Sequence, residues 1–157
     1  MVIREAMPDD AEAMSRALIA SIVELCVRDH GGDPGNIGRW TANKSPDGVR
    51  AWFENPANHL YVAVGDGIVI GVGGFNDEGE IILNYVAPEA RFAGVSKAML
   101  ARLEVAMRAA GCREARLTST VTAHRFYVST GWQDSGETKE RFGVEVLSMT
   151  KTLIEAR

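Results

Sequence analysis

The chain predicts a mixed α/β domain: a central, mostly antiparallel sheet with one parallel junction between its fourth and fifth strands, flanked by about four helices. Three observations lead there. Three extended apolar runs, Leu60 to Val64, Ile68 to Phe75 and Ile81 to Val86, are joined only by Asp66-Gly67 and by Asn76 to Gly79, the pattern of an antiparallel meander. An amphipathic stretch, Val95 to Ala110, then separates Ile81–Val86 from another extended run, Glu114 to Thr118. Strands joined through a helix run parallel, in a right-handed crossover. Finally, 157 residues of which 46% are hydrophobic suit one core, so a single domain is expected over 1–157.

Each element has a local reason. Val2 to Glu5 forms a short first strand, and Pro8-Asp9-Asp10 signals the start of a helix from Ala11 to Val27 with Met14, Leu18, Ile22 and Leu25 on one face. His30 to Gly38, with four glycines and Pro34, is expected to be a loop. Ser45-Pro46-Asp47 starts a helix that Asn55-Pro56 ends near Glu54. In the long helix Met99, Leu103, Met107 and Ala110 recur at helical spacing, Leu100 widens the stripe, and Gly111 caps the end. Thr122 to Thr130 is a short helix stopped by Gly131, and strands follow at Trp132 to Glu137 and Val144 to Lys151. The open edge of this last hairpin permits a homodimer without requiring one.

Composition narrows the function. The net charge of −4 argues against general nucleic-acid binding, though one local basic patch remains compatible with an anionic ligand. No apolar run is long enough to cross a bilayer, and Met1-Val2-Ile3-Arg4-Glu5 lacks a secretory pattern, so the expected setting is the cytoplasm without membrane attachment. Cys26 and Cys112 lack metal-type spacing, and His30 and His59 have no ligand-type neighbours; no metal is expected. A phosphoryl-transfer loop of the Gly-x-x-x-x-Gly-Lys-Ser/Thr kind is absent.

The junction Asn84 to Lys97 carries the most chemistry, because an extended run stops at Pro88 and restarts after Gly94 as a helix. Backbone N–H groups of Phe92, Ala93, Gly94, Val95, Ser96 and Lys97 are expected to be unpaired there, and with the helix dipole they favour an anion such as phosphate. Gly94 removes the side chain that would fill the phosphate's volume. The plain alternative is a glycine and a serine that only start a helix.

The element order together with Arg91-Phe92-Ala93-Gly94-Val95-Ser96 resembles the GNAT superfamily of CoA-dependent N-acetyltransferases, whose pyrophosphate loop reads Gln/Arg-x-x-Gly-x-Gly/Ala. Ser96 departs at the last position, where a small hydroxyl still admits a phosphate. Ala123-His124-Arg125-Phe126-Tyr127 followed by Gly131-Trp132 is similar to the family's Ala-x-x-Phe/Leu-Tyr and Gly-Phe/Tyr elements. Thr120 stands where many members carry an Asn that touches pantetheine.

The resemblance implies acetyl-CoA as cosubstrate, with its pantetheine arm between the splayed strands Ile81–Val86 and Glu114–Thr118. Backbone groups near Tyr85 and Val86 would bind the arm, and the Val86 N–H would stabilise the oxyanion, a contribution of about 2–4 kcal/mol to the barrier. Tyr127 would be the donor to the leaving sulfur; the residues alone favour instead a core-facing aromatic of an amphipathic helix. Arg91, Lys97 and Arg125 are candidates for CoA's phosphates, with plain surface cations as the alternative.

For the general base, Glu80 is the first candidate, beside the reading of a solvated hairpin-end residue. Asn84 and Ile82 share its face by two-residue alternation, and Asn84 could orient a water or the amine. Tyr85 faces the opposite side, as core or substrate wall. The acceptor wall is expected from Val27 to Trp52, including Arg28, Asp29, His30, Arg39, Trp40 and Trp52, of which His30 and Trp40 are the leading substrate residues. Neither cysteine is expected where an acyl-cysteine would form, so direct transfer to a small-molecule primary amine is the favoured reaction. Acetylation of a protein lysine or N-terminus, or a non-catalytic acyl-CoA sensor, are the alternatives.

Overall fold

In the computed structural model, which describes residues 1–155 apart from the side chain of Glu137, the expected meander is present. Strands β1 (Val2–Glu5), β2 (Asn58–Gly65), β3 (Ile68–Asn76) and β4 (Ile81–Val86) form an antiparallel sheet in that order. Asp66 and Gly67 both take positive φ, the twist a two-residue hairpin needs. A second sheet is made of β5 (Glu114–Thr120), β6 (Gln133–Arg141) and β7 (Val144–Thr152), with β7 in the middle.

The two sheets touch where β4 and β5 begin. Glu80 and Arg116 form a parallel bridge, and the Arg116 N–H donates to the Gly79 carbonyl at 2.9 Å. Beyond that bridge the two strands make no ladder among the described residues, so the expected splay is a complete parting of one sheet from the other.

The helices are α1 (Ala11–Leu25), α2 (Val27–His30), α3 (Pro34–Thr41), α4 (Pro46–Trp52), α5 (Val95–Ala109) and α6 (His124–Ser129). Two were not expected. The first helix stops at Leu25 and restarts as α2, which Gly31 ends at φ 66°. The loop expected from His30 to Gly38 contains α3, because the Asp33 carboxylate accepts from the Asn36 N–H at 2.8 Å and Pro34 supplies the first helical φ. Gly35 and Gly38 hid this helix by lowering its propensity.

Helices cover both faces of the first sheet. On one side α1 sets Met14 and Leu18 against Val62, Val72 and Leu83, with Val49 of α4 beside them. On the other, Met99, Leu100, Leu103 and Met107 of α5 pack against Tyr61 and Phe75 and reach Leu117 and Met149 of the second sheet. Helix α5 therefore bridges the parted sheets. Its Glu104, buried in this core, binds Lys151 of β7 at 2.8 Å. Glycines on β3 let α5 come close: a Cβ at Gly71 would lie 2.8 Å from Val95 Cγ1 and 3.2 Å from Ala63 Cβ.

Replacing Gly71 by leucine should therefore push α5 off the sheet and destabilise the protein by about 1–3 kcal/mol in urea unfolding. An unchanged unfolding midpoint would show that the helix does not sit on this glycine.

Candidate active site

The parting of β4 from β5 opens a cavity of about 480 Å3, walled by both strands, the start of α5, α6 and the end of α1. A second cavity of about 280 Å3 lies behind it, and Ile81, Ile82, Leu83, Tyr85, Thr118 and Thr120 line both. The strands are thus the partition between two chambers.

At one end of the larger cavity lies the start of α5. Gly94 takes φ 78° with no side-chain cap on the helix, and open space surrounds the position where its Cβ would be. The Ala93 N–H donates to the Ala90 carbonyl at 3.3 Å. Those of Phe92, Gly94, Val95, Ser96 and Lys97 have no partner among the described residues. The expectation of a continuous row is corrected at Ala93 alone, whose N–H the preceding turn consumes and which lines neither cavity. The first turn of α5 carries no acidic residue, and Lys97 there opposes the helix dipole. An anion at this spot satisfies the N–H groups, the dipole and the cation together.

Phe92 holds φ 67° and is 91% exposed, with the Arg91 guanidinium 4.6 Å from the centre of its ring. Arg91 and Lys97 line the cavity and have no ion-pair partner among the described residues. Arg125 lines neither cavity; on α6 it falls on the face turned away, which corrects its place beside Arg91 and Lys97.

Along β4, backbone alternation aims donors into the gap. Ala87 N–H bonds to the Ile70 carbonyl of β3 at 2.9 Å, so the N–H groups of Val86 and Asn84 point the other way, toward β5. The same parity turns the Tyr85 backbone into the β3 ladder, which corrects the expectation that it binds a ligand from there. The Tyr85 side chain borders both cavities, and its hydroxyl accepts from the Trp40 indole at 3.1 Å.

Asn84 and Tyr127 meet across the larger cavity: the Asn84 amide donates to the Tyr127 hydroxyl at 3.3 Å. This leaves the phenol's own proton free to be donated. Burial pushes the phenol up to about 12, against the opposing pull of the Asn84 bond. The Asn84 carbonyl oxygen is buried without a hydrogen-bond partner among the described residues, an arrangement that costs about 1–3 kcal/mol until a ligand N–H fills it.

Glu80 is separated from Asn84. The register of β3 with β4 shifts between Gly74 and Phe75, leaving Ile82 as an extra residue, and side-chain parity breaks there. Ile82 consequently packs with Leu83 and Tyr85 on the α1 side, and Glu80 lines the smaller cavity while Asn84 lines the larger. The shared face expected from simple alternation is corrected by this bulge.

Trp40 and Trp52 of the Val27 to Trp52 segment line the smaller cavity, together with Asn43 and Lys44 of the same segment, which sequence reading did not single out, and Arg141 and Phe142, which it missed. Nothing local marks Arg141 and Phe142, since the β6–β7 turn reaches the site only through the fold. His30 lines neither cavity. It is 2% exposed, with one ring nitrogen 2.9 Å from the Ile22 carbonyl and the other accepting from the Gly32 N–H, so its expected substrate role is corrected to that of a packing residue. Asp29 binds the N–H groups of Val121 and Thr122 and the Thr122 hydroxyl, fixing the chain as it leaves β5. Thr120 accepts from the Ala123 N–H at 3.1 Å and so turns the chain into α6. Cys26, contrary to expectation, lines the larger cavity; burial raises its thiol to about 12, which suppresses the thiolate.

Among the described residues no group of three or more His, Cys, Asp or Glu is placed to hold a metal ion, and no helix is long and apolar enough to cross a membrane.

Residues 14–153 match the family model described as an acetyltransferase (GNAT) domain. The fold is shared with solved structures of low identity. A GCN5-related N-acetyltransferase from Rhodopseudomonas palustris superposes with a TM-score of 0.85 at 21% identity, covering 96% of this chain and 94% of that one. YncA from Salmonella typhimurium, solved with its cofactor acetyl-CoA, gives 0.77 at 19%, covering 100% and 96%. The aminoglycoside 6'-N-acetyltransferase from Enterococcus faecium gives 0.71 at 17%, covering 100% and 99%. No curated protein matches the sequence. The chain belongs to the GNAT acetyltransferase family.

The raised Tyr127 phenol has a checkable consequence. Tyrosinate absorbance, taken as the difference between the native protein and Tyr127→Phe, should stay absent through pH 10 and develop near about 12. An unfolded tyrosine ionises near 10, so the contribution of this group to stability is complete below that value and is lost as pH rises toward 12. A difference signal already present at pH 9 would contradict the buried, protonated phenol.

Proposed function

We propose that this GNAT family member binds acetyl-CoA in the gap between β4 and β5 and transfers the acetyl group to a primary amine of a small molecule, by direct attack in a ternary complex. The observation that carries this reading is that the N–H groups of Val86, Phe92, Gly94, Val95, Ser96 and Lys97 are left without partners along one cavity, the last four at an uncapped helix start flanked by Arg91 and Lys97. The residues fit the cosubstrate. The unpaired N–H groups around Gly94 suit a diphosphate, and the orphaned Asn84 carbonyl suits an amide N–H of the pantetheine arm.

Acetyl-CoA supplies an activated thioester. The Val86 N–H points away from β3 into the gap, where it would donate to the acyl oxygen of a bound thioester as negative charge develops, and such a donor contributes about 2–4 kcal/mol to lowering the barrier. Tyr127 reaches the site as a neutral phenol whose proton is free, which suits it to hydrogen-bond and protonate the leaving sulfur. Asn84 positions that hydroxyl. Glu80, on the far side of the strands, is the candidate to accept the proton that an acceptor ammonium must lose, directly or through water.

The low thiolate content of Cys26 supports direct transfer over a covalent acyl-cysteine. The smaller cavity, lined by Trp40, Trp52 and Phe142, has a volume of only about 280 Å3, which favours a small amine over a protein segment.

A thiol-release assay over a panel of amines tests the reading. Free CoA should appear with at least one amine, and Tyr127→Phe should lower kcat about 100-fold with unchanged affinity for CoA. Replacing Gly94 by tryptophan should instead weaken CoA binding about tenfold or more by filling the open space at the helix start. Acetyl-CoA bound tightly with no thiol released by any amine would favour an acyl-CoA sensor.

A further inference from the structure

We infer that the acceptor carries a carboxylate beside its amine, and that Lys44 and Arg141 grip that carboxylate in the smaller cavity. This rests on the reading that the smaller cavity receives the acceptor. Lys44 follows α3 and is only 5% exposed. Its ammonium donates to the Trp40 carbonyl at 2.9 Å and to Asn43 Oδ1 at 3.1 Å, leaving one of its protons unused. Arg141, at the end of β6, lines the same cavity and places one guanidinium nitrogen 3.2 Å from the Thr118 hydroxyl, leaving donors to spare.

Neither cation has a carboxylate within ion-pair distance among the described residues. Two like charges therefore face one chamber, one of them buried. Burial depresses the Lys44 ammonium to about 8, and the Arg141 charge adds to the effect. Buried charges persist at such cost where a counter-charge arrives, and a planar carboxylate matches the fork of an arginine.

Contacts hold this turn beside the chamber. The turn that carries Arg141 lies against the Asn36 and Arg39 side chains of α3. Phe142, in the same turn, lays its ring 5.5 Å from the Lys44 ammonium. Glu80 lines the same chamber and, among the described residues, is the carboxylate there suited to the ammonium end of an amino acid. The chamber thus offers opposite charges to the two ends of a zwitterion. Polycationic amines such as aminoglycosides would meet Lys44 and Arg141 in repulsion, the reverse of what their recognition needs.

The test compares α-, β- and ω-amino acids with their own carboxamides, alongside spermidine and kanamycin. Turnover is read by thiol release at saturating acetyl-CoA, and binding by tryptophan fluorescence of the CoA-bound protein. At least one acid should exceed its carboxamide by about tenfold or more in kcat/KM and in affinity. Arg141→Gln, an exposed position that spares the fold, and Lys44→Met should each collapse that ratio toward one.

Carboxamides or polycations accepted as well as the acids would overturn the inference while leaving the transferase reading intact. So would an acid preference that survives both variants, or no binding by any acid. Acid-selective binding without thiol release from any amine would sustain the anion site and instead overturn the transferase reading.

Discussion

The site depends on a shortage of hydrogen bonds between two parallel strands. After the bridge between Glu80 and Arg116, β4 and β5 separate, and the backbone groups that would have joined them are left to other partners. Buried backbone polar groups are seldom left unpaired, so a gap of this kind is costly unless something else lines it. Helix α5 holds the separated sheets in place through the cluster around Leu103 and through Glu104, which binds Lys151 of β7 and lies within hydrogen-bonding reach of the Trp132 indole. Asp29 fixes the far end of β5 by binding Val121 and Thr122. The opening is therefore framed on several sides by packing that does not depend on a ligand.

Charge is distributed along this opening in a way that matches its chemistry. Unpaired N–H groups, the dipole of α5, Arg91 and Lys97 make one end attractive to anions. The middle, with Asn84, Val86 and Tyr127, carries no formal charge, and burial keeps the phenol neutral. Behind the strands, Glu80, Lys44 and Arg141 line a smaller chamber. Only the middle is suited to charge that appears and disappears during a reaction, because fixed dipoles there need not reorganise.

How much of this was legible in the sequence follows from whether the signal is local. The hairpin at Asp66-Gly67, the stripe of Met99, Leu103 and Met107, and the break between Pro88 and Gly94 are set by neighbouring residues, and each was read correctly. The pairing of Asn84 with Tyr127 joins residues 43 positions apart, and nothing local to either announces it. The bulge at Ile82 breaks simple alternation, so Glu80 and Asn84 face opposite sides of one strand although a two-residue period puts them on the same face. Helix α3 was concealed by its glycines. His30 looked available because nothing near it in sequence reveals that Ile22 and Gly32 occupy its ring. Lys44 and Arg141 were invisible as a pair because only the return of the β6–β7 turn onto α3 brings them into one chamber.

The central claim is that the donors left without partners by the parted strands and by the start of α5 are the ones that hold the cosubstrate. Amide-resolved nuclear magnetic resonance with and without CoA reads those groups individually. The N–H signals of Asn84, Val86, Gly94, Ser96 and Lys97 should shift and become protected from solvent exchange on binding, while that of Ala93, already bonded to Ala90, should change far less. CoA binding that leaves these amides unaltered, or no binding at all, would contradict the account.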